Sequence, residues 1–226
     1  MIYITGDLHG DLDIHKLSRG VYLNYSNLTK KDYIIICGDF GCIWYGEKKD
    51  YWWLNWLNDL PCTILFCDGN HENFDLLYQY PVEEWNGGKI HKIRDSVYHL
   101  MRGEIFNIDG KTFFVMGGAH SIDKIYRKEH ISWWAQEIPN KEEIQNAHNN
   151  LKKYNYKVDY IITHCAPSPL LPYLSPYFER DEVTDILEEF YYNVEYKAWY
   201  FGHYHLEKTA KRKHHCLYNE FLEIKE

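Results

Sequence analysis

Four apolar runs in this sequence end on a glycine followed closely by a side chain that can hold a cation: Gly6-Asp7, Gly38-Asp39, Gly69-Asn70 and Gly202-His203. A fifth run, Tyr160–Thr163, passes directly into His164. Two of these ends carry a second donor, in Asp7-Leu8-His9 and His203-Tyr204-His205. Residues two apart in an extended segment face the same side, so each pair can converge on one small volume. The donor inventory is therefore Asp7, His9, Asp39, Asn70, His164, His203 and His205. Seven ligands exceed what one ion takes, but two ions sharing a bridging carboxylate would use them. Mixed imidazole and oxygen donors suit Mn, Fe or Zn better than Ca or Mg, which prefer oxygen alone.

One Gly-Asp after a strand is usually only a turn, and one histidine is usually a structural residue. With 13 histidines, chance pairs are expected. His15, His91, His99, His130, His148, His214 and His215 follow no strand-glycine ending and are read as structural. Five strand ends bearing donors together are a different matter. In an open α/β sheet, ligands gather outside the carboxyl ends of the strands, which is where these donors would stand.

Short apolar runs alternating with longer polar-apolar segments predict an α/β protein. Strands are expected at Ile2–Thr5, 33–37, 63–67, Tyr160–Thr163 and Ala198–Phe201. Helices are expected around 11–25, 47–59, 73–79, 141–153 and 181–192, the first capped by Asp11. Four short strands, at 89–93, Val97–Leu100, 104–108 and 112–116, read as a β-meander inserted between two α/β halves. Residues 117–140 form a polar, aromatic connection, long enough to expect a role in function. The tail over 207–224 suggests two or three further strands. With no repeat and no linker, residues 1–226 read as a single domain.

A net charge of −8 argues against gripping long nucleic acid, though bound cations could still draw in small phosphate esters. Aromatic residues reach 17%, which supplies core and platform surface without naming a ligand. The six cysteines form no CxxC pair and several lie in apolar runs, so buried free thiols are expected. The amino terminus reads as a strand from its first residues, so no secretory signal is expected, and no apolar run is long enough to span a bilayer. A cytoplasmic protein without a membrane partner is the expectation.

The ordered set Gly6-Asp7-Leu8-His9-Gly10, Gly38-Asp39, Gly69-Asn70-His71-Glu72, Thr163-His164 and Gly202-His203-Tyr204-His205 resembles the calcineurin-like metallophosphoesterase superfamily. It covers residues 6 to 205 and implies a four-layer α/β sandwich of two mixed sheets flanked by helices. The resemblance implies that Asp7, His9 and His205 hold one metal, that Asn70, His164 and His203 hold a second, and that Asp39 bridges them. His71 matches the family's histidine that touches the phosphoryl oxygens or protonates the leaving group. Protein phosphatases of this superfamily continue the second motif into Asp-Arg-Gly, whereas this chain reads Asp39-Phe40-Gly41-Cys42. The missing arginine disfavours protein phosphatases and symmetrical dinucleoside tetraphosphatases alike.

The implied activity is hydrolysis of a phosphate ester by a hydroxide bridging two divalent ions, with Asp39 and His71 catalytic. Substrate contacts are expected from Asn70, from Arg127 in the 117–140 segment beside Lys124 and Lys128, and from Arg102. Glu72 reads as structural, and Trp133 and Trp134 as packing. The expected partner is a small phosphorylated compound, a nucleotide or a short oligonucleotide, with no obligate protein partner. Two alternatives are a phosphodiesterase or nuclease using the same centre, and a non-catalytic binding scaffold. The scaffold is disfavoured because all seven donor positions are filled.

Overall fold

A computed structural model of the chain describes residues 1–18 and 23–225. The β-branched run at 33–36 shows how its layers arise. Ile34 and Ile36 face one apolar cluster and Ile35 another, so one strand serves two cores. Fully buried strands of this kind belong to sheets covered on both faces.

The first sheet has seven strands in the order β13-β1-β2-β3-β6-β5-β4. Strands β1 (Ile2–Thr5), β2 (Tyr33–Ile36), β3 (Thr63–Phe66) and β6 (Val97–Leu100) run parallel. Strands β4 (Val82–Trp85) and β5 (Gly88–Arg94) extend one side antiparallel, and β13 (Leu222–Glu223) closes the other. The second sheet has six strands in the order β11-β12-β10-β9-β8-β7. Here β8 (Lys111–Met116), β9 (Tyr160–Thr163), β10 (Ala198–Phe201) and β12 (His214–Cys216) are parallel, with β7 (Ile105–Ile108) and β11 (Lys208–Ala210) antiparallel at the edges.

The sheets pack face to face through Ile4, Ile35, Leu65, Phe113, Val115 and Ile162. The outer face of the first sheet is covered by helix α1 (Lys48–Asp59), through Leu54 and Leu57. The short helix α2 (Phe74–Leu77) adds Phe74 and Leu77. The second sheet is covered by α3 (Lys141–Lys153) and α5 (Glu182–Asn193), with the single turn α4 (Leu171–Leu174) between them. Both long helices begin with a capping box, from Asn140 with Glu143 and from Asp181 with Thr184. The expected architecture of two mixed sheets flanked by helices is present. No helix among the described residues is long and apolar enough to cross a membrane.

Several expectations need correction. The four strands over 88–116 do not form an inserted meander: β5 and β6 join the first sheet, while β7 and β8 join the second. Their alternating residues must cover two separate faces, and a one-dimensional pattern cannot assign a strand to one sheet or the other. Strand β4 was not expected, because Val82 to Trp85 is largely exposed. The helix expected at 11–25 is instead two 3₁₀ turns, Ile14–Leu17 and Tyr25–Asn27, and its part at 19–22 lies outside the described residues. Asp11 caps nothing there; it pairs with Lys49 at 2.9 Å. The segment at 73–79 shortens to one turn, α2.

Candidate metal centre

All the parallel strand ends used in the sequence argument arrive on one side of the molecule. Asp7 and Asp39 leave the ends of β1 and β2, and Asn70 follows β3. His164 follows β9, and His203 and His205 follow β10 of the other sheet. The glycines before these donors are required by how closely the donors approach one another. A Cβ on Gly202 would lie 2.0 Å from Asp7 Oδ1, and one on Gly69 would lie 2.2 Å from Asp39 Oδ1. Each strand end therefore makes room for a side chain from another.

The two carboxylates share a design. One oxygen accepts a backbone N–H from a different donor loop: Asp7 Oδ1 from His203 at 2.9 Å and Asp39 Oδ1 from His71 at 2.7 Å. The second oxygen turns toward imidazoles. His205 Nε2 lies 3.2 Å from Asp7 Oδ2, and His9 Nε2 lies 3.3 Å from Asp39 Oδ2. His164 Nε2 lies 3.2 Å from Asp39 Oδ1. Three groupings converge within 4.8 Å: Asp7 with His9 and His205, His9 with Asp39 and His71, and Asp7 with Asp39 and His164.

These atoms approach without satisfying one another. Asp7 Oδ2, Asn70 Oδ1 and His164 Nε2 are buried and have no hydrogen-bond partner among the described residues. The 3.2 Å contacts are not aligned as hydrogen bonds, so the atoms aim at shared points rather than at each other. Leaving such groups unpaired costs stability unless something else meets them. The far nitrogens of two of the imidazoles, by contrast, are fixed. His164 Nδ1 donates to the Cys37 carbonyl at 2.7 Å, and His9 Nδ1 bonds Asp13 at 2.8 Å. His205 stacks on Tyr218, with ring centroids 4.5 Å apart. Imidazoles held on one nitrogen with the other free are arranged as metal ligands are.

The electrostatics also call for a cation. Burial opposes charge on His9 and His164, yet the nearby negative charge of Asp39, aided by Asp7, raises them to about 9 and about 10. Burial likewise opposes ionisation of Asp7 and Asp39, but the surrounding histidines hold both below the usual carboxylate range. Protons thus collect where positive charge is wanted. His203 behaves differently: burial, then the neighbouring His164, lowers it to about 4, leaving the neutral form that ligates metal. Four of the seven donors, His9, Asp39, His203 and His205, adopt left-handed backbone angles, with φ between 46° and 67°. Each non-glycine residue held this way costs about 1–3 kcal/mol, an expense concentrated at functional sites.

A cavity of about 880 Å³ opens beside the cluster, lined by Asp39, Asn70, His71, His203, His205 and Arg127 among others. Arg127 pairs with Asp123 at 2.8 Å. Arg102 does not reach this cavity, contrary to expectation. It is 5% exposed and is gripped by Asp68, by Glu143 at 3.0 Å and by the Gln136 carbonyl at 2.8 Å. Lys124 is tied to Glu137 at 2.7 Å, and Trp134 packs in the core with Nε1 donating to Asp75. Glu72 is buried, accepting the N–H groups of Phe40 and Gly41, and burial beside Asp39 raises it to about 8.

Sequence reasoning missed Asp13, Tyr218 and Lys16. Lys16 is 1% exposed and donates to the Gly6, Asp7 and Tyr218 carbonyls from beneath the first motif. Asp13 and Lys16 sit in a segment with no strand ending, and Tyr218 lies beyond the last motif, so nothing in their neighbours marks them. His120 also lines the cavity, with Nδ1 buried and unpartnered among the described residues.

The family profile described as calcineurin-like phosphoesterase matches residues 1–207. The chain belongs to the calcineurin-like phosphoesterases. This family typically binds divalent metals, and the unpaired donors here fit such ions. No curated protein matches the sequence. Among solved structures, the chain is similar to a protein of unknown function from Aquifex aeolicus, at 15% identity, 87% coverage of both chains and a TM-score of 0.38. It is also similar to the sulfate thiohydrolase SoxB of Thermus thermophilus, solved with glycerol, at 12% identity and a TM-score of 0.44. That match covers 97% of this chain but only 51% of SoxB.

Proposed function

We propose that the chain hydrolyses a small phosphate ester at a centre of two divalent ions. The observation that carries this reading is the set of buried atoms on Asp7, Asn70 and His164 that find no partner among the described residues, beside a cavity wide enough for a substrate. Asp39 faces His9 at 3.3 Å through one oxygen and His164 at 3.2 Å through the other, one histidine from each proposed ligand set, which supports its role as the bridge. Asp7, His9 and His205 would hold one ion, and Asn70, His164 and His203 the other. The imidazole content favours Mn, Fe or Zn. Such ions would supply positive charge against the phosphoryl oxygens and activate water.

The chain's own groups do the rest. His71 lines the cavity, and its backbone N–H anchors Asp39. Burial lowers its pKa against the pull of Asp39, so its protonated form is a stronger acid than an ordinary imidazolium. That favours giving a proton to the departing oxygen. Arg127 would exchange Asp123 for a phosphate oxygen, supplying part of the positive charge missing from the second motif. All six cysteines are unpaired and buried, which supports residence in the reducing cytoplasm.

Metal analysis of the purified protein, paired with phosphate release from monoesters, nucleotides and cyclic nucleotides, tests the proposal. About two equivalents of metal per chain and metal-dependent turnover are expected. Protein that binds no divalent ion at millimolar concentration, and melts at the same temperature with or without it, would overturn the reading. His71→Ala should lower kcat about a hundred-fold or more while metal content stays unchanged.

A further inference from the structure

The metal centre stands on the partition between two cavities, and a monoester needs only one. A second cavity of about 380 Å³ is lined by His9, which does not line the larger one, and is walled by Leu12, Trp44, Tyr45 and Lys49. His71 lines both. A phosphorus atom held between the two can send one ester substituent to each side.

The smaller cavity is firmly built. The buried Asp50 carboxylate accepts the N–H groups of Trp44, Tyr45 and Gly46 at 2.8, 2.7 and 2.8 Å, and Asn73 donates to the Trp44 carbonyl at 2.8 Å. The two loops bearing His9 and Asp39 meet at its base. Gly10 donates to the Phe40 carbonyl at 3.0 Å, and a Cβ on Gly41 would lie 2.6 Å from the Gly10 nitrogen. Trp44 is braced edge-on by Trp134 at 5.3 Å. Tyr45 is 59% exposed, and its ring lies 5.5 Å below the Lys49 ammonium.

Charge indicates what this cavity takes. Lys49 pairs with Asp11 at 2.9 Å, so its charge is offset by a carboxylate on the same wall, and the lining among the described residues favours aromatic contact over a second phosphate. Two aromatic rings and Leu12 offer stacking surface instead. We infer that the substrate is a phosphodiester with a planar, uncharged substituent seated against Trp44 and Tyr45, its other arm lying in the larger cavity. This rests on the phosphoesterase reading above. In the reaction the oxygen of water bonds to phosphorus and one P–O ester bond breaks. The departing alcohol oxygen keeps the bonding pair and takes a proton, and the other substituent remains as a monoester.

The test uses the full chain loaded with Mn²⁺ and three substrates: p-nitrophenyl phosphate, methyl p-nitrophenyl phosphate and bis(p-nitrophenyl) phosphate. The bis-aryl diester should have the highest kcat/KM. Tyr45→Ala, an exposed position, should raise its KM about ten-fold, the size expected for losing one stacking partner, while changing the other two less than about two-fold. Calorimetric titration should show the same about ten-fold weakening for diphenyl phosphate and none for methyl phosphate. Turnover of the monoester with the bis-aryl diester no better, or a Tyr45→Ala effect that is equal for all three substrates or absent, would overturn the subsite alone. Failure of all three substrates would remove the phosphoesterase reading and the subsite with it.

Discussion

Asp7, Asp39 and His164 crowd together at the strand ends with polar atoms left over, whereas Asp68, His99, His91 and Arg102 make a buried cluster of similar composition that closes on itself. In the second cluster His91 meets His99 at 2.9 Å, His99 meets Asp68 at 3.0 Å, and Arg102 grips the other oxygen of Asp68. The Arg102 guanidinium then reaches Glu143 and the 136–137 backbone, tying β3 to α3 and the long connection. Burial and histidine–carboxylate contacts are common to both clusters. Unmet donors and left-handed backbone are confined to the first. That difference separates a site waiting for a ligand from a strut, and it shows why counting acids and histidines is not enough.

Three experiments break or sharpen the contrast. Asp39→Asn should abolish turnover, by about a thousand-fold or more, since it removes the proposed bridge and a carboxylate facing His9 and His164. Metal content should fall toward one ion or none, and the metal-free protein should melt lower than wild type near neutral pH, because the attraction of Asp39 for His9 and His164 outweighs its repulsion with Asp7. Near-normal kinetics in that variant would sink the bridging role.

Arg102→Met should act the other way, on stability. It strands the Asp68 carboxylate in the core and should lower unfolding free energy by about 3–5 kcal/mol. Burial alone would raise the Asp68 pKa, and it is the Arg102 charge, with His99, that holds it well below the usual range. Adding Asp68→Asn should restore part of the loss in urea unfolding. If Arg102→Met instead left stability intact and raised KM, Arg102 would belong to substrate binding after all.

The smallest effect concerns pH. Burial, then His99, lowers His91 to about 4, so it stays neutral in the folded protein while the unfolded chain protonates near 6.5. Between those values the unfolded state binds more protons, so this contribution to stability is present above pH 6.5 and is lost as pH falls toward 4. His91→Gln should flatten the stability-pH curve in that window. An unchanged slope would mean His91 does not titrate with unfolding.

Much of the site was readable because each strand end announces itself locally: an apolar run, a glycine, then a donor. Asp7, Asp39 and Asn70 needed no more than that pattern, His164 follows its run directly without the glycine, and the order of motifs carried the family. Arg102 misled because its neighbours, Met101 and Gly103, reveal nothing about Asp68, which lies 34 positions earlier. Asp13, Lys16 and Tyr218 escaped for the same reason.

Hydrophobic period and backbone chemistry act over a few residues, so the buried strands, the long helices and the donors that follow the strands can be read from the chain alone. The partition of strands 88–116 between two sheets, the match of each glycine to a foreign carboxylate, and the second cavity beside His9 depend on contacts between distant segments. Whether a buried acid is satisfied or left waiting is a property of its surroundings in space, and those are set only when distant segments fold together.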